Sequence, residues 1–226
     1  MTYVAVSDAI KVYRTGDLEV TALREATFSI NRGRIALILG PSGSGKTTLL
    51  NLIGGLDLPT AGSVEVDGRR VDRMNMRELA QYRRTRVGFV FQFFNLIPTM
   101  TALGNVEFPM ALLRVPREER TDRAMELLRR VGLEARRDHF PHQMSGGEQQ
   151  RAAVAVALAN DPPLLLADEP TGELDRETGQ KIIELLGELR EERGKTVIVV
   201  SHDPRMEPYA DDTWLIEDGR LTPHTR

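Results

Sequence analysis

Short unbroken apolar runs punctuate this chain. Ile35-Ala36-Leu37-Ile38-Leu39, Leu164-Leu165-Leu166-Ala167 and Val197-Ile198-Val199-Val200 are too short for core helices. They predict strands buried on both faces, as in a parallel sheet. Val87-Gly88-Phe89-Val90-Phe91 reads the same way and ends at Gln92. A second pattern has apolar residues three and four apart. Ala124, Leu127, Leu128 and Val131 mark one face of a helix over 116–131, with Pro116 at its first position and Gly132 past its end. Ile182, Ile183, Leu185, Leu186 and Leu189 do the same for 176–193, where Asp175 caps and Gly194 stops the helix. A third pattern is alternation. Tyr3, Val4, Val6 and residues 10–13, a turn at 14–17, then residues 20–30 predict a small antiparallel sheet. Residues 63–68 add a short strand and turn, and 214–221 a hairpin.

The ends of the buried strands carry the chemistry. After Leu39 comes Gly40-Pro41-Ser42-Gly43-Ser44-Gly45-Lys46-Thr47-Thr48, which fits G-x-x-x-x-G-K-[ST] between a strand and a helix. Its glycines let backbone N–H groups turn inward around phosphate oxygens, and the helix end adds a positive dipole. Lys46 can reach β- and γ-phosphates, and the Thr47 hydroxyl can ligate Mg²⁺. The second run ends at Asp168-Glu169, where an aspartate can hold Mg²⁺ and a glutamate can polarise a water. The third leads to His202-Asp203, a position suited to a γ-phosphate contact. Far from the phosphate loop, Ser145-Gly146-Gly147-Glu148 fits the S-x-x-E capping box. Two glycines after the cap leave N–H groups bare, so this helix end can also hold a phosphate.

Two stretches stay open. Tyr13 serves either sheet packing or stacking on a nucleotide base. Residues 93–110, with Phe93, Phe94, Leu96, Ile97 and Met100 and the interruptions Pro98, Gly104 and Pro109, fit a satellite core or a docking patch for another protein. Arginines between 69 and 86 read as a solvated face, because acidic residues interleave them.

Composition narrows the rest. The 226 residues suffice for one large domain, and a net charge of −3 supplies no global basic field for nucleic acid. There is no cysteine, hence no disulfide and no thiolate metal site. No apolar run approaches the roughly 20 residues of a membrane span, and the first residues lack signal-peptide character.

In this order the pieces resemble the nucleotide-binding domain of ATP-binding cassette (ABC) proteins, over nearly all of the 226 residues. The resemblance implies an α/β fold: a P-loop NTPase core with an N-terminal antiparallel β subdomain and an inserted α-helical subdomain. It further implies that residues 1–226 form a single domain, with 1–91 and 161–226 as core and 92–160 as the helical signature subdomain. Walker A spans Gly40, Pro41, Ser42, Gly43, Ser44, Gly45, Lys46 and Thr47, with Thr48 following. Gln92 falls at the Q-loop, Ser145-Gly146-Gly147-Glu148 at the signature, Glu169 at the catalytic glutamate, Asp175 in the D-loop and His202 at the switch histidine. Tyr13 falls at the aromatic that stacks on adenine.

The implied roles are catalysis by Glu169, His202, Gln92 and Lys46, and metal binding by Thr47, Gln92 and Asp168. ATP and Mg²⁺ are the implied ligands. Within the family the chain looks most like the MacB/LolD/FtsE-like group, on Phe91-Gln92-Phe93-Phe94-Asn95-Leu96-Ile97-Pro98 and Asp168-Glu169-Pro170-Thr171-Gly172. That group implies a Mg-dependent ATPase that pairs with a second copy of itself and with a separate four-span membrane permease. Its expected place is cytoplasmic, on the inner face of the membrane and touching it only through the partner, with export, lipoprotein release or mechanical work as output. A soluble non-transport ABC ATPase and an actuator of a cell-envelope or division complex are the alternatives. Met144 and Glu148 depart from the family's L-S-G-G-Q, and Glu148 adds a negative charge.

Overall fold

Each central strand divides its side chains between two cores. The computed structural model describes residues 1–16 and 18–224. Strands β1 (Thr2–Thr15) and β2 (Leu18–Asn31) form a long antiparallel pair with register shifts between Val6 and Val12. Strand β3 (Ile35–Leu39) leads into helix α1 (Lys46–Ile53). Strands β4 (Ala61–Val66) and β5 (Arg69–Arg70) complete a four-stranded sheet of order β2-β1-β4-β5. Next come α2 (Met76–Arg86), β6 (Val87–Val90), α3 (Ala102–Leu112), α4 (Arg117–Arg130) and α5 (Gly146–Leu158). Then β7 (Leu164–Asp168), α6 (Arg176–Arg193), β8 (Thr196–Ser201), β9 (Asp212–Glu217) and β10 (Arg220–Pro223) follow. The second sheet runs β10-β9-β3-β8-β7-β6, parallel except for the β9–β10 hairpin.

Ile35, Leu37, Leu165, Ala167, Val197 and Val199 face one core, shared with α3 to α6. Ala36, Ile38, Leu164, Leu166, Ile198 and Val200 face the other, shared with α1, α2 and the antiparallel sheet. Both faces are therefore apolar, and the strand sequences run without polar alternation. Asp72 fastens the smaller sheet. Its carboxylate accepts from Val64 N at 2.9 Å and from Arg70 Nε and Nη2 at 2.8 and 2.6 Å.

Two expectations shift. Pro116 precedes α4 instead of occupying its first turn; its ψ of 146° is extended, and the helix begins at Arg117. The open stretch 93–110 divides between core and surface. Thr101 caps α3, whose Ala102, Val106 and Met110 are core, while Phe93 and Phe108 stay on the surface. The arginine-rich segment contains α2, opened by a capping box of Asn75 and Glu78, and its arginines lie mostly on the surface as expected.

Two tests follow from the packing. Gly54 ends α1 with helical φ, yet a Cβ there lies 2.1 Å from Phe89 Cζ. Gly54→Ala is expected to cost about 1–3 kcal/mol by overpacking, and Phe89→Leu in the same chain to recover part of it in urea unfolding. The Arg70 guanidinium beside Asp72, against a smaller opposing effect of burial, holds its carboxyl below the usual range. The folded value is thus below the unfolded value of about 3.9, so the stabilisation exists above that pH and is lost as pH falls through the folded value. Asp72→Asn is expected to lower the thermal midpoint by a few degrees at neutral pH, with the gap to the parent closing as the pH drops below about 4.

Candidate functional site: a cleft at the carboxyl ends of the parallel strands

The register of the parallel sheet sets the site. Leu39 pairs with Ser201, Val200 with Asp168 and Ala167 with Val90, so the loops after β3, β8, β7 and β6 emerge side by side. Between them lies a cleft of about 470 Å³ lined by Ser42, Gly43, Gly45, Lys46, Thr47, Thr48, Gln92, Asp168, Glu169 and His202, and by Ala22 from β2.

The phosphate loop is shaped by close approach. Gly45 has φ of 106°, and a Cβ on it would lie 2.4 Å from the Ala22 carbonyl oxygen. Gly40 leaves no more room, since its Cβ would meet Ile216 O at 2.3 Å. The β9–β10 turn clamps the loop from outside: Gly219 N donates to Ser44 O at 3.1 Å, and Arg24 N to Gly219 O at 2.8 Å. Lys46 is buried, and its ammonium donates to Gly40 O and Pro41 O at 2.8 and 2.9 Å.

Two adjacent carboxylates meet opposite surroundings. Asp168, the last residue of β7, is buried, and burial pushes its carboxyl above the usual range, partly offset by a hydrogen bond from the Thr47 hydroxyl. Among the described residues its Oδ1 has no hydrogen-bond partner. Glu169 takes a left-handed φ of 44°, uncommon for any residue with a Cβ. This backbone aims its carboxylate at the loop after β8. Oε2 accepts from Ser201 Oγ and His202 N at 3.2 Å each and lies 2.9 Å from His202 Nδ1, while Oε1 lies 3.5 Å from Lys46 Nζ. His202 itself is exposed.

The donors beside the cleft suit a hard cation. Thr47, Gln92 and Asp168 offer a hydroxyl, an amide and one carboxylate, and an unpartnered buried oxygen on Asp168 is a ligand position in search of a partner. Among the described residues no group of three or more His, Cys, Asp or Glu side chains could hold a metal alone. Such a set fits Mg²⁺, which binds through one or two carboxylates together with phosphates and water.

Other expected residues lie elsewhere. Tyr13 lines no part of this cleft. Its hydroxyl donates to Asp57 Oδ2 at 2.9 Å and neighbours Thr48, and Lys11 Nζ sits 4.9 Å from its ring centroid. Ser145 to Glu148 open α5 outside the cleft, with the capping box formed in both directions. Asp175 caps α6 through Glu177 N and Thr178 N at 3.0 Å each. The starts of α5 and α6 touch: a Cβ on Gly147 would lie 2.4 Å from Thr178 Cγ2. Sequence reasoning did not single out Ala22, whose closeness to Gly45 comes from tertiary pairing. It also missed Asn105, a buried side chain that bonds Ile97 N and O, Met100 O and Thr101 O and so fixes the segment after Gln92. A lone Asn inside an apolar helix was the available signal.

Among the described residues, no helix is long and apolar enough to cross a membrane. The ABC transporter family model matches residues 23–172. An uncharacterized ABC transporter ATP-binding protein of Thermotoga maritima is 51% identical over 95% of this chain and 91% of its own length. A macrolide export ATP-binding/permease protein, MacB, of a Shewanella species is 44% identical over 95% of this chain, which spans 33% of that longer protein. In solved structures, the ATP-binding cassette MJ0796 of Methanocaldococcus jannaschii, a dimer in a post-hydrolysis state bound to ADP and Pi, superposes with a TM-score of 0.93 at 44% identity and covers 98% of both chains. With its fold, its cleft and these relatives in agreement, the chain belongs to the ABC transporter family as an ATP-binding cassette.

Proposed function

We propose that this cassette hydrolyses Mg·ATP as a dimer and drives a separate four-span membrane subunit. The carrying observation is a division of labour. Lys46, Thr47, Gln92, Asp168, Glu169 and His202 share one cleft, while a second phosphate-fit helix end, at Ser145, lies outside it. Two such sites on one chain make sense if each ATP lies between the cleft of one copy and the α5 end of another. A relative solved as a dimer with ADP and Pi supports this reading. In this reading residues 92–160 are the helical part that moves against the core, and Tyr13 stacks on the base beside Thr48.

The phosphate-loop N–H groups and Lys46 bind the β- and γ-phosphates. Thr47, Asp168 and Gln92 would hold Mg²⁺, which supplies charge neutralisation on the phosphate oxygens. Glu169 orients a water and accepts its proton as the water oxygen bonds to the γ-phosphorus. The bond to the bridging oxygen breaks, and ADP carries that electron pair away. His202, adjoining Glu169, contacts the γ-phosphate. Loss of that group removes what joins the copies, and the dimer opens.

In this reading the membrane partner docks next to the Gln92 segment. Beside Gln92, a groove of about 490 Å³ between α2, α3 and α5 is lined by Arg83, Arg84, Phe91, Phe108 and Leu112. Phe93, 71% exposed, directly follows Gln92 in the chain. Similarity to MacB, named for macrolide export, favours an exporter over a non-transport ATPase or a division-complex actuator.

Glu169→Gln is expected to cut ATP turnover by roughly a hundredfold or more, with ATP affinity held within about threefold. Unchanged turnover sinks the role given to Glu169. The same variant, purified with ATP from detergent-solubilised membranes, is expected to bring down a four-span protein, and Leu112→Asp in the groove to lose it. Recovery of soluble partners alone would leave the ATPase standing and end the transport reading.

A further inference from the structure

The departure at Glu148 creates an electrostatic problem that the fold has answered. An amide at this place could cap α5 without charge. Glu148 caps it with a full negative charge, in the first turn of the helix whose bare N–H groups are proposed to meet a phosphate. A fixed carboxylate there opposes an incoming anion. Both oxygens are already engaged. Oε2 accepts from Ser145 N at 2.8 Å, and Oε1 accepts from Arg136 Nε at 2.9 Å. The Ser145 N–H, ahead of the Arg136 guanidinium, holds the Glu148 carboxyl below the usual range, so its charge is present at neutral pH.

Arg136 is delivered there by the loop between α4 and α5. It ends the short 3₁₀ turn Glu134–Arg136, and the start of α3 pins the next residues through Leu103 N to Arg137 O at 2.9 Å and Ala102 N to His139 O at 2.8 Å. A second arm of the guanidinium, Nη1, lies 3.1 Å from His139 Nε2, so the group is fixed from two sides. The Arg136 side chain is nevertheless 48% exposed. An ion pair so open to water adds little to folding. Its effect is on the local potential at the helix end.

We propose that Arg136 is a positioning residue for ATP-driven dimerisation: its guanidinium cancels the Glu148 charge, so that the N–H groups after Ser145 present a net positive end to the γ-phosphate held by a second copy. This rests on the dimeric reading above, and the test separates the two. In a Glu169→Gln background, the ATP concentration for half-maximal dimerisation is read by light scattering. The parent is expected to dimerise with ATP. Arg136→Ala is expected to need about tenfold more ATP, and Arg136→Lys, which keeps the charge, less than about threefold more. Adding Glu148→Gln to Arg136→Ala is expected to bring the requirement back to within about twofold of the parent, because the charge needing compensation is gone. Thermal midpoints of the monomers are expected to match. Parent-like dimerisation of Arg136→Ala overturns the proposal. So does a double variant as weak as Arg136→Ala alone, since Arg136 would then act by holding its turn and not by its charge. A parent that fails to dimerise with ATP removes the dimeric reading itself, and this proposal with it.

Discussion

The register of four parallel strands is the constraint on which the molecule depends. Side chains alternate between two cores, and a strand slipped by one position would exchange the residues fitted to each and mispack both. The same alignment brings Leu39, Ser201, Asp168 and Val90 to one edge. Hydrophobic burial, which knows nothing of nucleotides, therefore fixes the spacing of the groups that line the cleft. Pre-organisation of the site follows from the cost of misplacing a Leu or an Ile.

What the sheet does not set, local backbone strain does. Asp168 continues its strand inward and keeps an unpartnered buried oxygen, whereas Glu169 turns through a left-handed conformation to meet His202, Ser201 and Lys46. Neighbours in sequence thus become a buried carboxyl beside a hydroxyl and a carboxylate held by donors. Chain geometry, more than residue type, gives two adjacent carboxyls different surroundings.

The parts readable from the chain were those with short-range causes. Val197 to Val200 announce a doubly buried strand, and Gly40 to Thr47 a turn between strand and helix, because each signal lies within a few residues. Pro116 was displaced by one position, since a fixed φ suits both the cap and the first turn and only ψ tells them apart. Residues 93–110 could not be divided in advance: Pro109 and Gly104 obscure the helical period of α3, and nothing local says that Met110 faces the core while Phe108 does not. Ala22 was invisible for a different reason: its importance lies in its approach to Gly45, which only tertiary pairing creates. For Tyr13 the structure adds a hydroxyl bond to Asp57 and the Lys11 ammonium over one face of the ring.

The clamp of Gly219 on Ser44 ties the phosphate loop to the last hairpin of the fold. The loop therefore takes its shape from both flanks of the sheet: Ala22 walls Gly45 from β2, and Gly219 holds Ser44 from the β9–β10 turn, so the second wall is in place only when β9 lies paired beside β3.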